Sequence, residues 1–147
     1  MRRVNRWMLA ILVLALPLGA CAGGTAEAAV DQPAVTVEEI DGTELSRLTL
    51  SDKAAERLGI ETAPVAEAEA AGNLTTIPYS AVMYDAAGHV WAYTNPDGRA
   101  FVRAEISVDR IEGGLAYLAA GPAVGTLVVT VGAAELWGVE TGVGGGH

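Results

Sequence analysis

The sequence is poor in cysteine, in aromatic residues and in basic residues. Its 147 residues include a single cysteine, Cys21, so no disulfide can form within the chain. Aromatic residues make up 5% of the chain, so a core has to rest mainly on Val, Leu, Ile and Ala. Nine Lys and Arg residues face eighteen Asp and Glu residues, for a net charge of −9. Because nucleic acids and anionic lipids attract basic surfaces, this balance argues against electrostatic binding to either.

Motifs of enzymatic chemistry are also missing from the sequence. It contains no nucleophile elbow, no zinc-binding motif and no phosphate-binding loop. Its carboxylates are spread over predicted strand faces and loops, as solvated groups usually are. We therefore expect a protein that is not an enzyme and that needs no cofactor.

A short hydrophobic run follows a basic start at the N-terminus. Arg2, Arg3 and Arg6 precede the run MLAILVLALPLG, which is too short to span a bilayer comfortably. This order is typical of a secretory signal peptide, which we expect at residues 1–20 as a signal helix. The pair Arg2-Arg3 also allows a twin-arginine export signal, although the rest of that pattern is missing.

The hydrophobic run ends in LGAC, residues 18–21, which resembles the lipobox of bacterial lipoproteins. The resemblance implies that the thiol of Cys21 is lipidated and that its acyl chains hold the mature protein in the membrane. Ordinary cleavage near Ala20 or Ala22, which leaves a free thiol, is the alternative. We expect a lipid-anchored protein on the extracytoplasmic face of a cell membrane, in a periplasm or at the cell surface.

Beyond the signal, the sequence divides into a tether, one domain and a tail. Residues 21–44 are small and acidic and predict a flexible tether, in which AVTVEEI is able to pair as an edge strand. Residues 45–137 hold short apolar segments separated by turn residues. They predict an all-β domain, a small antiparallel β-barrel or sandwich of about six or seven strands with one short helix. The glycine-rich residues 138–147 predict a frayed tail.

Local signals place several elements within this domain. Ser51 predicts the N-cap of a short helix over Lys53–Leu58, and Gly59 predicts its end. The run TLVVTVG is apolar at nearly every position and predicts a central strand. The segment from Phe101 to Asp109 predicts a single half-buried strand. Its expected inner face holds Val102, Ala104, Ile106 and Val108, and its expected solvent face holds Arg103, Glu105, Ser107 and Asp109.

The segment VMYDAAGHVWAYTNPDGRAF holds the residues best suited to bind a ligand. His89 follows a turn glycine, and a metal site there would need further ligands, for which Asp85, Met83 and His147 are the candidates. A solvated turn histidine is the simpler interpretation, so no metal site is predicted. The aromatic residues are expected to pack across strands rather than to form a ligand cage. They are Tyr79, Tyr84, Trp91 and Tyr93.

Two stretches of the chain resemble one known family. IPYSAVMYDAAGHVWAYTN and the following FVRAEISVDRIEGGLAYLAAGPAVGTLVVTVGAAEL look like the membrane-proximal domain of HlyD-like membrane fusion proteins. These proteins are the periplasmic adaptor subunits of RND-type efflux pumps. LTLSDKAAERLGIETAPV resembles the leading segment of the same adaptors, and the resemblance covers roughly residues 45–137. The positions that carry it include Pro78, Ala81, Val82, Gly121, Pro122, Val128, Val129 and Gly132.

The resemblance implies an accessory subunit that docks on an inner-membrane efflux transporter and serves transmembrane transport, and it allows a homo-oligomer. A full adaptor also carries a lipoyl domain, an α-helical hairpin and a separate β-barrel, for which the few residues between Val65 and Pro78 leave no room. The chain would therefore keep only the part that lies next to the pump. A free-standing surface lipoprotein that binds a small ligand or a metal ion is the alternative, and a truncated relic without function is a third hypothesis.

Overall fold

The computed structural model describes residues 33–68 and 72–142, which form a mostly β structure with two short helices. The expected signal peptide at 1–20, Cys21 and His147 lie outside the described residues. Within the described part, no helix is both long enough and apolar enough to span a bilayer.

The elements follow one another closely along the chain. The strands are β1 (Val35–Glu39), β2 (Ser46–Leu50), β3 (Glu61–Pro64), β4 (Ala66–Glu67), β5 (Thr75–Pro78), β6 (Met83–Tyr84), β7 (Val90–Thr94), β8 (Ala100–Glu105), β9 (Ser107–Glu112), β10 (Leu115–Ala120) and β11 (Leu127–Val131). The helices are α1 (Asp52–Leu58) and α2 (Ala133–Glu140), and a 3₁₀ turn covers Tyr79–Ala81.

The strands form two antiparallel sheets. The larger sheet has the order β1-β2-β8-β7-β11-β3, and β6 also pairs with β7. The smaller sheet has the order β4-β5-β10-β9. The antiparallel all-β character predicted from the sequence is confirmed. The barrel alternative is wrong for the described residues, because β1 and β3 end the larger sheet without pairing with each other.

Two clusters of buried side chains cover the two faces of the larger sheet. Tyr93 and Val129 belong to a cluster that includes residues of α1 and α2. Ala92 and Val128, their neighbours in the same strands, pack with side chains of the smaller sheet. Because successive residues of a strand point to opposite faces, β7 and β11 are covered on both sides. The apolar run of β11 is therefore an interior strand, although it lies next to the edge strand β3 and not at the middle of the sheet that the sequence predicts.

The capping signals of α1 are confirmed. The side-chain oxygen of Ser51 accepts a hydrogen bond from the backbone N–H of Ala54 at 3.3 Å. Gly59 ends the helix with φ at +59°, and its N–H donates to the carbonyls of Ala55 and Glu56. Glycine adopts this left-handed conformation without the steric cost that a side chain would bring.

The structure has more strands than predicted because the chain repeatedly changes sheet. It passes from β3 to β4, from β5 to β6, from β8 to β9 and from β10 to β11, each time into the other sheet. The single strand predicted from Phe101 to Asp109 is thus two strands, β8 and β9. Ile106 lies between them, is 4% exposed, and donates its N–H to the carbonyl of Val90 at 2.9 Å.

The folded part extends beyond residues 45–137 at both ends. β1 lies within the stretch expected as a tether, and all its residues pair with β2. It is the edge strand that the segment AVTVEEI is able to form. The sequence predicts one short helix in the domain, and α2 is a second one; it continues to Glu140, inside the stretch expected as a tail. It is anchored because Leu136 is fully buried and Glu140 makes the contacts described below.

Candidate functional site

Asp85 organises the turn between β6 and β7. Its Oδ1 accepts hydrogen bonds from the backbone N–H groups of Ala87 and His89, at 2.9 and 2.8 Å. Its Oδ2 lies 3.0 Å from the ring Nδ1 of His89 and accepts a hydrogen bond from the indole Nε1 of Trp91 at 3.0 Å. These hydrogen bonds, above all that from Trp91, hold the pKa of Asp85 well below its usual range. Asp85 is therefore an anion that fixes the turn and orients the indole.

Glu140 forms a second cluster where α2 meets the larger sheet. Its Oε1 accepts a hydrogen bond from Nε of Arg103 at 2.9 Å, and its Oε2 accepts one from the hydroxyl of Tyr93. The side chain of Glu140 is 5% exposed and that of Arg103 is 15% exposed. Arg103 also donates to the carbonyl of Glu44 at 3.0 Å. Burial, and then the neighbouring Glu140, raise the pKa of Tyr93, so the phenol stays protonated and remains a donor.

The guanidinium of Arg103 lies over two indole rings. Its central carbon is 4.5 Å from the ring centroid of Trp91 and 5.1 Å from that of Trp137. These distances suit cation–π attraction to both rings. Trp91 also donates to Asp85, so it links the two clusters into one, which we call the Arg103 network. Its members are Asp85, His89, Trp91, Tyr93, Arg103, Trp137 and Glu140.

The orientation predicted for β8 is wrong, because Arg103 does not lie on a solvent face. The sequence predicts Arg103 on a solvent face, but that face is covered, since Phe101 two residues earlier is 1% exposed and packs in the cluster that α2 completes. A signal for this arrangement is present in the sequence. Trp137 and Glu140 are three residues apart and so share one face of a helix. The glycines that follow indicated a tail instead.

The structure brings together two of the four residues considered as metal ligands. Asp85 contacts His89, whereas Met83 is partly buried against the cluster beneath the helices. His147 lies outside the described residues. Among residues 33–68 and 72–142, no group of three or more His, Cys, Asp or Glu side chains is arranged to hold a metal ion. The imidazole of His89 is 57% exposed, as expected for a turn histidine.

The four aromatic side chains of this region behave differently from one another. Tyr93 is fully buried, and Trp91 is partly buried and pairs with Met83 across β6 and β7. The cross-strand packing expected for them is present. Tyr84 and Tyr79 are 57% and 44% exposed, so they face water more than they pack. They lie at the edge strand β6 and in the 3₁₀ turn, where little of the fold covers them.

A groove of about 290 Å³ opens beside the Arg103 network. Glu44, Leu45 and Glu105 line it together with His89 and other members of the network. Every buried side-chain nitrogen or oxygen in the described part of the chain has a hydrogen-bond partner. A polar network that is satisfied throughout holds one arrangement rigidly. The network therefore fixes α2 and the β6–β7 turn on the sheet, and leaves the groove as a shallow, acidic surface.

Comparison with known proteins gives no match among protein families, curated proteins or solved structures.

Proposed function

We propose that the protein is a non-enzymatic, lipid-anchored accessory subunit of a membrane efflux transporter, similar to the membrane-proximal part of a periplasmic adaptor. The observation that carries the proposal is the order of segments after Cys21. LTLSDKAAERLGIETAPV, the hairpin around His89 and the closing TLVVTVG follow one another in this chain, and each resembles a segment of that family. These segments supply β2 to β3, β6 to β7 and β11 of one antiparallel domain.

The rigidity of the domain supports a docking role. The Arg103 network ties α2, β7 and β8 together, and Arg103 also reaches the carbonyl of Glu44 in the turn between β1 and β2. A surface that is already ordered loses little conformational entropy when a partner binds. A small domain of this kind is suited to present a fixed face to a transporter while an acyl anchor keeps it at the membrane.

The anchor is tested by metabolic labelling with palmitate. We expect label on the wild-type chain and none on Cys21→Ala, because the other residues offer no thiol for diacylglycerol. Circular dichroism of both proteins serves as the control, since Cys21 lies outside the described strands and its substitution should leave the β signal unchanged. An unlabelled wild type would remove the anchor from the proposal.

The partner is tested by chemical crosslinking in intact cells, followed by mass spectrometry of the crosslinked peptides. We expect peptides of a polytopic transport protein joined to residues of the folded domain in the wild type, and fewer of them in Cys21→Ala. Recovery of soluble proteins alone, with no transport protein among them, would contradict the proposal.

A free-standing surface lipoprotein that binds a small ligand or a metal ion is the second candidate. The groove beside the Arg103 network favours it, because the exposed His89 and the carboxylates of Glu44 and Glu105 line the same opening. Calorimetry with divalent metal ions separates the two functions. A binding heat that disappears in His89→Ala supports the second candidate, whereas its absence in the wild type leaves the adaptor proposal as the better one.

A further inference from the structure

The strand orders of the two sheets end in β1, β3, β4 and β9. An edge strand offers unpaired backbone groups to other strands, and proteins protect such edges with short length, proline, charges or bulges. Among the described strands β6 pairs only with β7, so it has an edge as well. β4 and β6 have two residues each, and β3 ends in Pro64 and shifts register against β11. β9 carries three charged residues and shifts register against β10. The edges of these four strands are therefore protected.

β1 is different, because it is regular. It pairs with β2 from Val35 to Glu39 without a register shift, it contains no proline, and its two charged residues, Glu38 and Glu39, lie together at one end. Val37 lies opposite Leu48, which is fully buried, so Val37 continues the core-facing side of the sheet to its edge. The side chain of Val37 is nevertheless 46% exposed. An apolar side chain and a backbone edge that no other described strand covers thus occur together at β1.

The charges on β1 suit pairing with a second copy of the same strand. In a two-fold antiparallel pair, one residue of the strand faces its own counterpart. The register that overlaps all of β1 is centred on Val37, and it places Thr36 opposite Glu38 and Val35 opposite Glu39. No two like charges are then directly opposite each other, which would be destabilising.

The same test applied to β9 gives the opposite result. The two registers that overlap most of that strand place Asp109 opposite Asp109, or Arg110 opposite Arg110. Like charges in direct opposition destabilise both registers. Self-pairing is thus compatible with β1 and disfavoured at β9, although both strands end a sheet.

We propose that the protein forms a two-fold dimer in which the β1 strands of two copies pair antiparallel about Val37 and join the two larger sheets edge to edge. The dimer does not depend on the anchor or on a transporter, so it stands or falls separately from the proposed function.

Disulfide trapping tests this geometry in the full chain. Cys21→Ala removes the natural thiol, and Val37→Cys then places one thiol per chain on the two-fold axis. The Cβ atoms of directly opposed residues lie about 4.5–5.5 Å apart, close to the separation that a disulfide needs. Ile111→Cys is the matched control, because Ile111 is also 46% exposed and lies on the other long edge, β9. We expect disulfide dimers to form at least about tenfold faster for Val37→Cys, because pairing raises the effective thiol concentration.

The register is tested by mixing chains that carry Thr36→Cys with chains that carry Glu38→Cys. These positions are opposed in the proposed dimer, so the mixture should form mixed dimers faster than either chain forms its own. Equal rates in the mixture and in the separate chains would refute the register centred on Val37.

Sedimentation without any engineered thiol gives the second readout. Val37→Lys places like charges on the two-fold axis and should weaken the dimer at least about tenfold, whereas Ile111→Lys should leave it unchanged. Thermal melting of both variants establishes that they remain folded. A monomeric wild type at its highest soluble concentration, or a dimer that Val37→Lys does not weaken, overturns the proposal.

Discussion

Removing the carboxylate of Glu140 should destabilise the domain far more than removing a surface charge. In Glu140→Ala the buried hydroxyl of Tyr93 loses its acceptor, and the guanidinium of Arg103 loses its counter-ion. Arg103 keeps the carbonyl of Glu44 and its contacts with the indoles, but its side chain is only 15% exposed and gains little water in return.

The expected loss follows from the groups left without partners. Removing one member of a buried ion pair costs about 3–5 kcal/mol, and leaving a buried hydroxyl unsatisfied costs about 1–3 kcal/mol. The two costs overlap because both arise from the same carboxylate of Glu140, and Arg103 is not fully buried. We therefore expect a loss of about 3 kcal/mol in the free energy of unfolding.

Urea unfolding followed by tryptophan fluorescence measures this loss, because Trp91 and Trp137 flank the guanidinium of Arg103. With a urea dependence of about 1.5 kcal/mol per molar, the midpoint should fall by about 2 M. Arg110→Ala is the control, since Arg110 pairs with Asp109 at 3.0 Å but is 42% exposed. Such a surface pair contributes about 0–1 kcal/mol.

A double-mutant cycle decides whether the ion pair itself carries the effect. If Arg103 and Glu140 stabilise each other, Arg103→Met combined with Glu140→Gln should cost less than the sum of the single changes, by about 1–3 kcal/mol. Strict additivity, or a midpoint shift in Glu140→Ala no larger than that in Arg110→Ala, would refute the reasoning.

Three further predictions concern the same domain. The pKa of Asp85 is lowered on folding, so its stabilising contribution is lost as pH falls below about 4. In melting curves recorded between neutral and acid pH, Asp85→Asn should therefore lose less stability than the wild type. An equal loss of stability in both proteins at acid pH would contradict this. The pKa of Tyr93 is raised, so its contribution is lost as pH rises above about 10, and Tyr93→Phe should be less sensitive to alkali in the same assay. In urea unfolding, Gly132→Ala should destabilise the domain by about 2 kcal/mol and Gly88→Ala by about 1 kcal/mol. Both glycines have φ near +90°, but a Cβ at Gly132 would overlap the Cδ1 of Ile60, whereas Gly88 faces open space. Equal losses in the two variants would show that Ile60 plays no role.

Features that depend on neighbouring residues could be predicted from the sequence. The cap at Ser51 and the end at Gly59 involve groups within a few positions of one another. The turns and the alternating segments are local in the same sense. The interior strand β11, in which Val128 and Val129 are fully buried, could be predicted because its apolar run has no polar alternation.

Features that depend on distant residues could not be predicted. Arg103 and Glu140 are 37 positions apart. The polar and apolar residues around Arg103 alternate just as they do in a strand with one face in solvent, so the pattern does not reveal that Arg103 is covered. The change of sheet at Ile106 leaves the alternation intact, so β8 and β9 look like one strand. In the candidate site, the exposed His89 could be predicted, whereas the contact of Arg103 with two indoles required the fold.

The repeated passage of the chain between sheets has a consequence for how the domain opens. Neither sheet is a continuous piece of sequence, because β4, β5, β9 and β10 are each bounded by strands or turns that lead back to the larger sheet. Neither layer can detach as an independent foldon without pulling strands out of the other. Slowly exchanging amides in both layers should therefore report one common opening free energy, equal to that of global unfolding.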